Sequence, residues 1–140
     1  MNRNTIDNIL NFLKEKEGKE LPKNWNIIER LENHPDDIQY RYDGILSLSH
    51  SNITKLPNDL YVDGSLNLKG CGELTELPDN LHVGYILGLE HTNISEIPNN
   101  LYVGNDLYVY GSPLANKYTH EKIIEMITSK GGTLIGKIFR

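Results

Sequence analysis

Apolar residues in the middle of this 140-residue chain fall into short alternating pairs that return at a fixed interval. The stretch LPNDLYVDGSLNLKG (56–70) is followed by LPDNLHVGYILGLEH (77–91) and then by IPNNLYVGNDLYVYG (97–111). Pro57, Pro78 and Pro98 are spaced by 21 and 20 residues. The pairs Leu46-x-Leu48, Leu66-x-Leu68, Leu87-x-Leu89 and Leu107-x-Val109 are spaced by 20, 21 and 20. Two anchors agree on one period, so each unit is one coil that buries its apolar face by stacking on its neighbours.

Inside a unit, Leu60-x-Val62 precedes Leu66-x-Leu68, and such short alternation predicts half-buried strands. The glycine between the pairs (Gly64, Gly84, Gly104) predicts a tight corner with positive φ. The prolines after Leu56, Leu77 and Ile97 predict a second corner, because proline cannot donate to a sheet ladder. Each coil therefore reads as two short strands and two bends. Leu68 and Leu89 point inward, and Asn67 points outward.

The flanks lose this rhythm. Ile6, Ile9, Leu10 and Leu13 form a helical stripe that stops near Gly18, and a second helix is expected over Trp25, Ile28 and Leu31. A degenerate first unit begins at His34, with Pro35 and Ile38-Gln-Tyr40 aligned on Pro57 and Leu60-Tyr-Val62. Beyond the repeats, Thr119 caps a helix through Ile123, Ile124 and Ile127 that ends at Gly131-Gly132. TLIGKIF (133–139) reads as one final strand. The expected division is a helical cap at 1–34, a solenoid of about four coils at 35–114, and a helix–strand cap at 115–140. Caps are expected because an open stack exposes apolar surface and unpaired backbone at both ends.

Leu46-Ser-Leu-Ser-His-Ser51-Asn-Ile53, Leu87-Gly-Leu-Glu-His-Thr92-Asn-Ile94 and Leu107-Tyr-Val-Tyr-Gly-Ser112-Pro-Leu114 resemble the leucine-rich-repeat core L-x-L-x-x-N/C-x-L. Cys71 falls on the Asn/Cys position, and the second unit carries one extra residue before Leu74. The "LPxxLxV" phrase makes the chain most similar to short repeats of about 20 residues in bacterial and tailed-phage proteins. The resemblance implies an α+β solenoid, leucine-rich-repeat-like, between helical caps. It implies little about function, because such repeats bind many unrelated partners.

Charge is uneven. The net charge is −5, but residues 44–114 carry 2 Lys against 8 Asp or Glu. An acidic repeat region argues against binding a phosphate backbone, which is driven by Lys and Arg. No apolar run approaches the 18 residues of a membrane span, and the first 20 residues lack the apolar stretch of a leader peptide. The single cysteine, Cys71, excludes an internal disulfide framework. A cytoplasmic location is expected: host cytoplasm for a phage-encoded chain, with a virion as the alternative.

Candidate chemistry is sparse. His50 and His91 hold one position two coils apart, roughly 10 Å at the strand spacing of a sheet, too far to share a zinc ion. Cys71 has no histidine beside it in its own coil and reads as a buried turn thiol. Asp36-Asp37 follows a proline and reads as turn chemistry, as does the column Asp59, Asn80 and Asn100. Phosphate-loop, nucleophile-elbow and zinc-protease motifs are absent from the sequence. No catalytic, cofactor or metal residue is assigned.

Two outward columns remain. Tyr61, His82 and Tyr102 repeat regularly and suit a solvated strand face. The other face varies from coil to coil, through Ser47, Asn67, Gly88 and Tyr108, then Ser49, Lys69, Glu90 and Tyr110. Variation at fixed geometry is how a solenoid builds a specific surface, so candidate protein-binding residues are Asn67, Lys69, Glu90, His91, Tyr108 and Tyr110. Tyr108 and Tyr110 lead, because tyrosine is enriched at interfaces. The expected function is a non-enzymatic scaffold for a protein partner, a host protein if the chain is phage-encoded. The alternative is a structural part of a virion or other larger assembly, and the chain is expected to be a monomer or to self-associate weakly through the solenoid ends. An enzyme with a site between caps and coils is the weaker rival.

Overall fold

A computed structural model describes residues 25–29 and 38–140 of the chain. The alternating pairs form strands of two residues each: β3 (Leu46–Ser47), β4 (Tyr61–Val62), β5 (Leu66–Asn67), β6 (His82–Val83), β7 (Leu87–Gly88), β8 (Tyr102–Val103) and β9 (Leu107–Tyr108). Ahead of them lie β1 (Trp25–Glu29) and β2 (Ile38–Tyr42). After them come the helices α1 (Pro113–Lys117) and α2 (His120–Ser129), then β10 (Thr133–Leu134) and β11 (Ile138–Phe139).

These strands stack into two sheets, β1-β2-β4-β6-β8-β10 and β11-β9-β7-β5-β3. Every pairing is parallel except that of β1 with β2. The chain alternates between the sheets, so the molecule is a β-solenoid. Three regular turns carry it from Leu46 to Leu66, Leu87 and Leu107, which lie in register on neighbouring strands.

The period of two side chains per pleat divides inside from outside. Leu46, Leu66, Leu87 and Leu107 from one sheet meet Val62, Val83 and Val103 from the other, and all seven are fully buried. Leu68 and Leu89 are buried as expected, while Asn67 is only partly covered. Pro57, Pro78 and Pro98 are buried at the second corner.

The corner glycines act differently from expectation. Gly64, Gly84 and Gly104 are not among the residues with positive φ. They are needed because a Cβ on Gly64 would lie 2.6 Å from the Gly44 carbonyl oxygen, and those on Gly84 and Gly104 would collide with the carbonyls of Asp63 and Gly84. Backbone approach between stacked coils sets the requirement. Positive φ is found at this corner only one coil earlier, at Gly44, and otherwise at Asp59, Asn80 and Asn100, at His50, Gly70, His91 and Gly111, and at Gly131.

Three other expectations change. Trp25–Glu29, expected as helix, is a strand paired antiparallel with β2, with Trp25 in register with Tyr42. In the first unit it is Arg41 and Tyr42 that pair with Tyr61 and Val62, so the alignment of Ile38-Gln-Tyr40 is two residues out of register. The even shift keeps the same inward parity, which is why the pattern alone did not expose it. The stripe at Ile6–Leu13 and the turn at Pro35 lie outside the described residues.

At the other end, Thr119 caps α2 by accepting from the Lys122 N–H at 3.1 Å, and Ile123 and Ile127 join the core. Residues 133–139, expected as one strand, are two: β10 extends the first sheet beside β8, and β11 extends the second beside β9. The last turn of the solenoid thus detours through the helices and closes beyond residue 114. Among the described residues, no helix is long and apolar enough to cross a membrane.

The extra residue of the second unit is absorbed in an exposed bend at Gly72 and Glu73, with Leu74 still buried. The Gly72 carbonyl left outside accepts from Asn93 Nδ2 of the next coil at 2.6 Å.

Candidate binding surface

Each sheet turns one column of side chains outward, and the two columns differ in chemistry. On the first sheet Arg41, Tyr61, His82 and Tyr102 lie in register. The Arg41 guanidinium carbon lies 4.1 Å from the Tyr61 ring centroid. Tyr61 and His82 stack at 4.1 Å, and His82 and Tyr102 at 4.4 Å, with planes within 5°. The strand spacing of a sheet brings flat groups to stacking distance, so this column is a continuous ladder. Both faces of Tyr61 and of His82, and one face of Tyr102, are taken by neighbours in the column. Burial in the stack lowers the His82 pKa, the nearby Arg41 charge lowers it further, and Asp63 opposes both.

On the second sheet the column is Ser47, Asn67, Gly88, Tyr108 and Phe139. Here the ladder is broken. Asn67 Oδ1 accepts from the Lys69 N–H at 3.0 Å, while Tyr108 stacks on Phe139 at 4.6 Å. Between them Gly88 contributes no side chain. Glu90 folds back over it, so that a Cβ at position 88 would lie 2.7 Å from Glu90 Oε1. That oxygen is buried and accepts no hydrogen bond.

Of the candidate residues, Asn67, Lys69, Glu90, Tyr108 and Tyr110 lie along this face or at its margin. Tyr110 is 37% exposed, and its ring meets that of His91 edge-on at 5.6 Å. His91 stands at the turn that follows, its ring over Gly111. The sequence reading missed Phe139, which is 40% exposed and forms one aromatic cluster with Tyr108. The signal was present, since Ile138-Phe139 repeats the inward–outward order of Leu107-Tyr108. Reading 133–139 as a single strand hid it. Arg41 was missed through the two-residue misalignment.

The remaining polar groups serve the coil. The Cys71 thiol is fully buried and donates to the Leu48 carbonyl at 3.0 Å. In the same column Thr92 and Ser112 donate to the carbonyls of Leu89 and Val109. Asp59, Asn80 and Asn100 make a side-chain ladder between coils, with bonds of 2.6 and 2.8 Å. A cavity of about 210 Å³ at the proline corner is lined by Glu76, Asp79, Glu96 and Lys130 among others. There Lys130 Nζ donates to the Ile97 carbonyl at 2.7 Å, and Asp79 Oδ1 accepts from the Asn99 N–H at 2.9 Å. Both side chains thus fasten the corner.

Comparison of the chain with family models, with curated proteins and with solved structures gave no match.

Proposed function

We propose that this protein is a non-enzymatic scaffold that binds a protein partner on the outward face of the second sheet. The supporting observation is the contrast between the two columns. The first sheet spends its aromatic faces internally, whereas the second leaves Tyr110 and Phe139 exposed beside a gap in the ladder. Aromatic side chains at fixed spacing on a rigid coil supply contact area at low entropic cost. The low count of basic residues in the repeats supports a protein partner over nucleic acid. The resemblance to short phage and bacterial leucine-rich repeats supports a partner in the host cytoplasm.

The test is partner capture from the native host by the wild type and two double variants, identified by mass spectrometry. Tyr108→Ser with Tyr110→Ser should abolish capture while leaving the circular-dichroism spectrum intact. Tyr61→Ser with Tyr102→Ser should lower stability by breaking the ladder but leave capture of the folded protein unchanged. The reverse pattern would move the binding surface to the first sheet.

A structural role in a larger assembly is the second reading, and one observation favours it. Among the described residues β10 and β11 end their sheets, and the residue after β10, Ile135, is 63% exposed. An unpaired strand edge beside apolar surface is a template for another chain. Concentration-dependent self-association by sedimentation, lost on Ile135→Lys, would put this reading first.

A further inference from the structure

The Tyr108 ring has one face on Phe139 and, on the other side, the rung of Gly88. On the first sheet every rung from Arg41 to Tyr102 is filled. On the second sheet one is missing, and its space runs from Asn67 to Tyr108, two strand spacings or roughly 10 Å. Two acceptors border the Gly88 rung, Glu90 Oε1 and Asn67 Oδ1, 2.7 and 3.6 Å from where a Gly88 Cβ would stand. The gap now holds Glu90 Oε1, buried without a donor, the single such side-chain atom among the described residues. A buried acceptor without a partner is costly, more so on a group that ionises. Lys69, one rung away, forms no ion pair with Glu90, and the ion pair among the described residues is Lys122–Glu125.

Resting on the proposed binding face, we infer that the Gly88 rung is a receptor slot for an arginine side chain of the partner protein. The molecule already shows the required geometry on its other sheet. Arg41 and Tyr61 lie on adjacent rungs, with the guanidinium 4.1 Å from the ring centroid. In the slot, a guanidinium lies on the free face of Tyr108 and displaces the Glu90 carboxylate outward. The carboxylate then accepts the guanidinium N–H groups and gains the donors it lacks. Lysine fits less well, because its ammonium is neither planar nor able to give a bidentate pair. An apolar or acidic side chain leaves Glu90 unpaired or repelled.

The probe is N-acetyl-arginine amide, titrated into the full chain labelled with nitrogen-15. N-acetyl-citrulline amide, its uncharged planar analogue, and N-acetyl-lysine amide serve as comparisons. The expected result is a saturable shift of the Gly88, Glu90 and Tyr108 amides by the arginine probe in the millimolar range. Citrulline and lysine should bind about tenfold more weakly, or not at all. Glu90→Gln should weaken the arginine probe about tenfold. Gly88→Ala should abolish its binding by filling the slot. This variant should fold, since its Cβ meets the end of a flexible glutamate side chain. Equal shifts with citrulline, undiminished binding to Glu90→Gln, or no saturable shift at these residues would overturn the slot. If the slot fails while Tyr108 and Tyr110 remain essential for capture, the face is right and its specificity lies elsewhere. If arginine binds but the tyrosine variants capture normally, the face reading fails on its own.

Discussion

The His50 imidazole lies over Gly70, and the His91 imidazole lies over Gly111 in the same way. A Cβ on either glycine would collide with the histidine Nδ1. All four residues hold left-handed backbone, with φ of 60°, 75°, 56° and 75° in chain order. One turn position thus alternates between a ring and no side chain, and each ring takes the space its neighbour leaves.

Gly70→Ala should therefore be destabilising for two separable reasons. The left-handed backbone alone costs about 1–3 kcal/mol. The collision with His50 adds to that. In a His50→Gly background only the backbone part should remain, so denaturant titrations of the four proteins should be non-additive. An identical loss in both backgrounds would mean that the ring does not crowd the glycine.

The inward and outward faces should separate in stability. Leu89 is fully buried, and truncation to alanine should cost about 2–5 kcal/mol. Asn67→Ala removes one bond to the Lys69 N–H from a partly exposed site and should cost about 1 kcal/mol or less. Similar losses would place the pleat in the wrong parity.

The solenoid was legible because its cause is periodic. Leu46, Leu66, Leu87 and Leu107 recur at one interval, and register between coils follows from that interval. Where the cause was not periodic, inference weakened. Trp25–Glu29 carries apolar residues compatible with either a helix or a strand, and its pairing with Tyr42 is a non-local fact. The corner glycines were read correctly as corners but for the wrong reason, since composition cannot tell positive φ from a close carbonyl. The outward face is visible in the sequence as a column that includes Tyr108 and Tyr110, but not Phe139, whose place in it depends on β11 pairing with β9. The missing rung is not visible there, because it depends on Gly88, Tyr108 and Phe139 lying in register on the successive strands β7, β9 and β11.

The asparagine ladder gives a third test. Asn80 has φ of 61°, donates to Asp59 Oδ1 and accepts from Asn100 Nδ2. Asn80→Gly keeps the backbone and removes both bonds, for a loss of about 1–2 kcal/mol. Asn80→Ala adds the left-handed strain of about 1 kcal/mol or more. Thermal or urea unfolding should rank wild type above glycine and glycine above alanine. A glycine variant as stable as wild type would show that the exposed bonds contribute nothing.

The last prediction follows from the position of His82 between Tyr61 and Tyr102. Burial in the stack, and then the Arg41 charge, set its folded pKa below the ordinary 6.5. The unfolded chain therefore takes up the His82 proton at a higher pH than the folded one. Between those two values unfolding binds a proton, so stability rises with pH across that window. The contribution is fully present above about pH 6.5 and is lost as pH falls from there through the lower folded value. His82→Tyr keeps a flat ring in the column but cannot titrate there, so its melting temperature should vary less between pH 7.5 and 5.5 than that of the wild type. Carboxylates protonate mainly below this range and affect both proteins alike. A direct check is the proton titration of the His82 ring by nuclear magnetic resonance. A midpoint at or above 6.5 would mean that the ring is not held in the stack, and the pH dependence should then vanish with it.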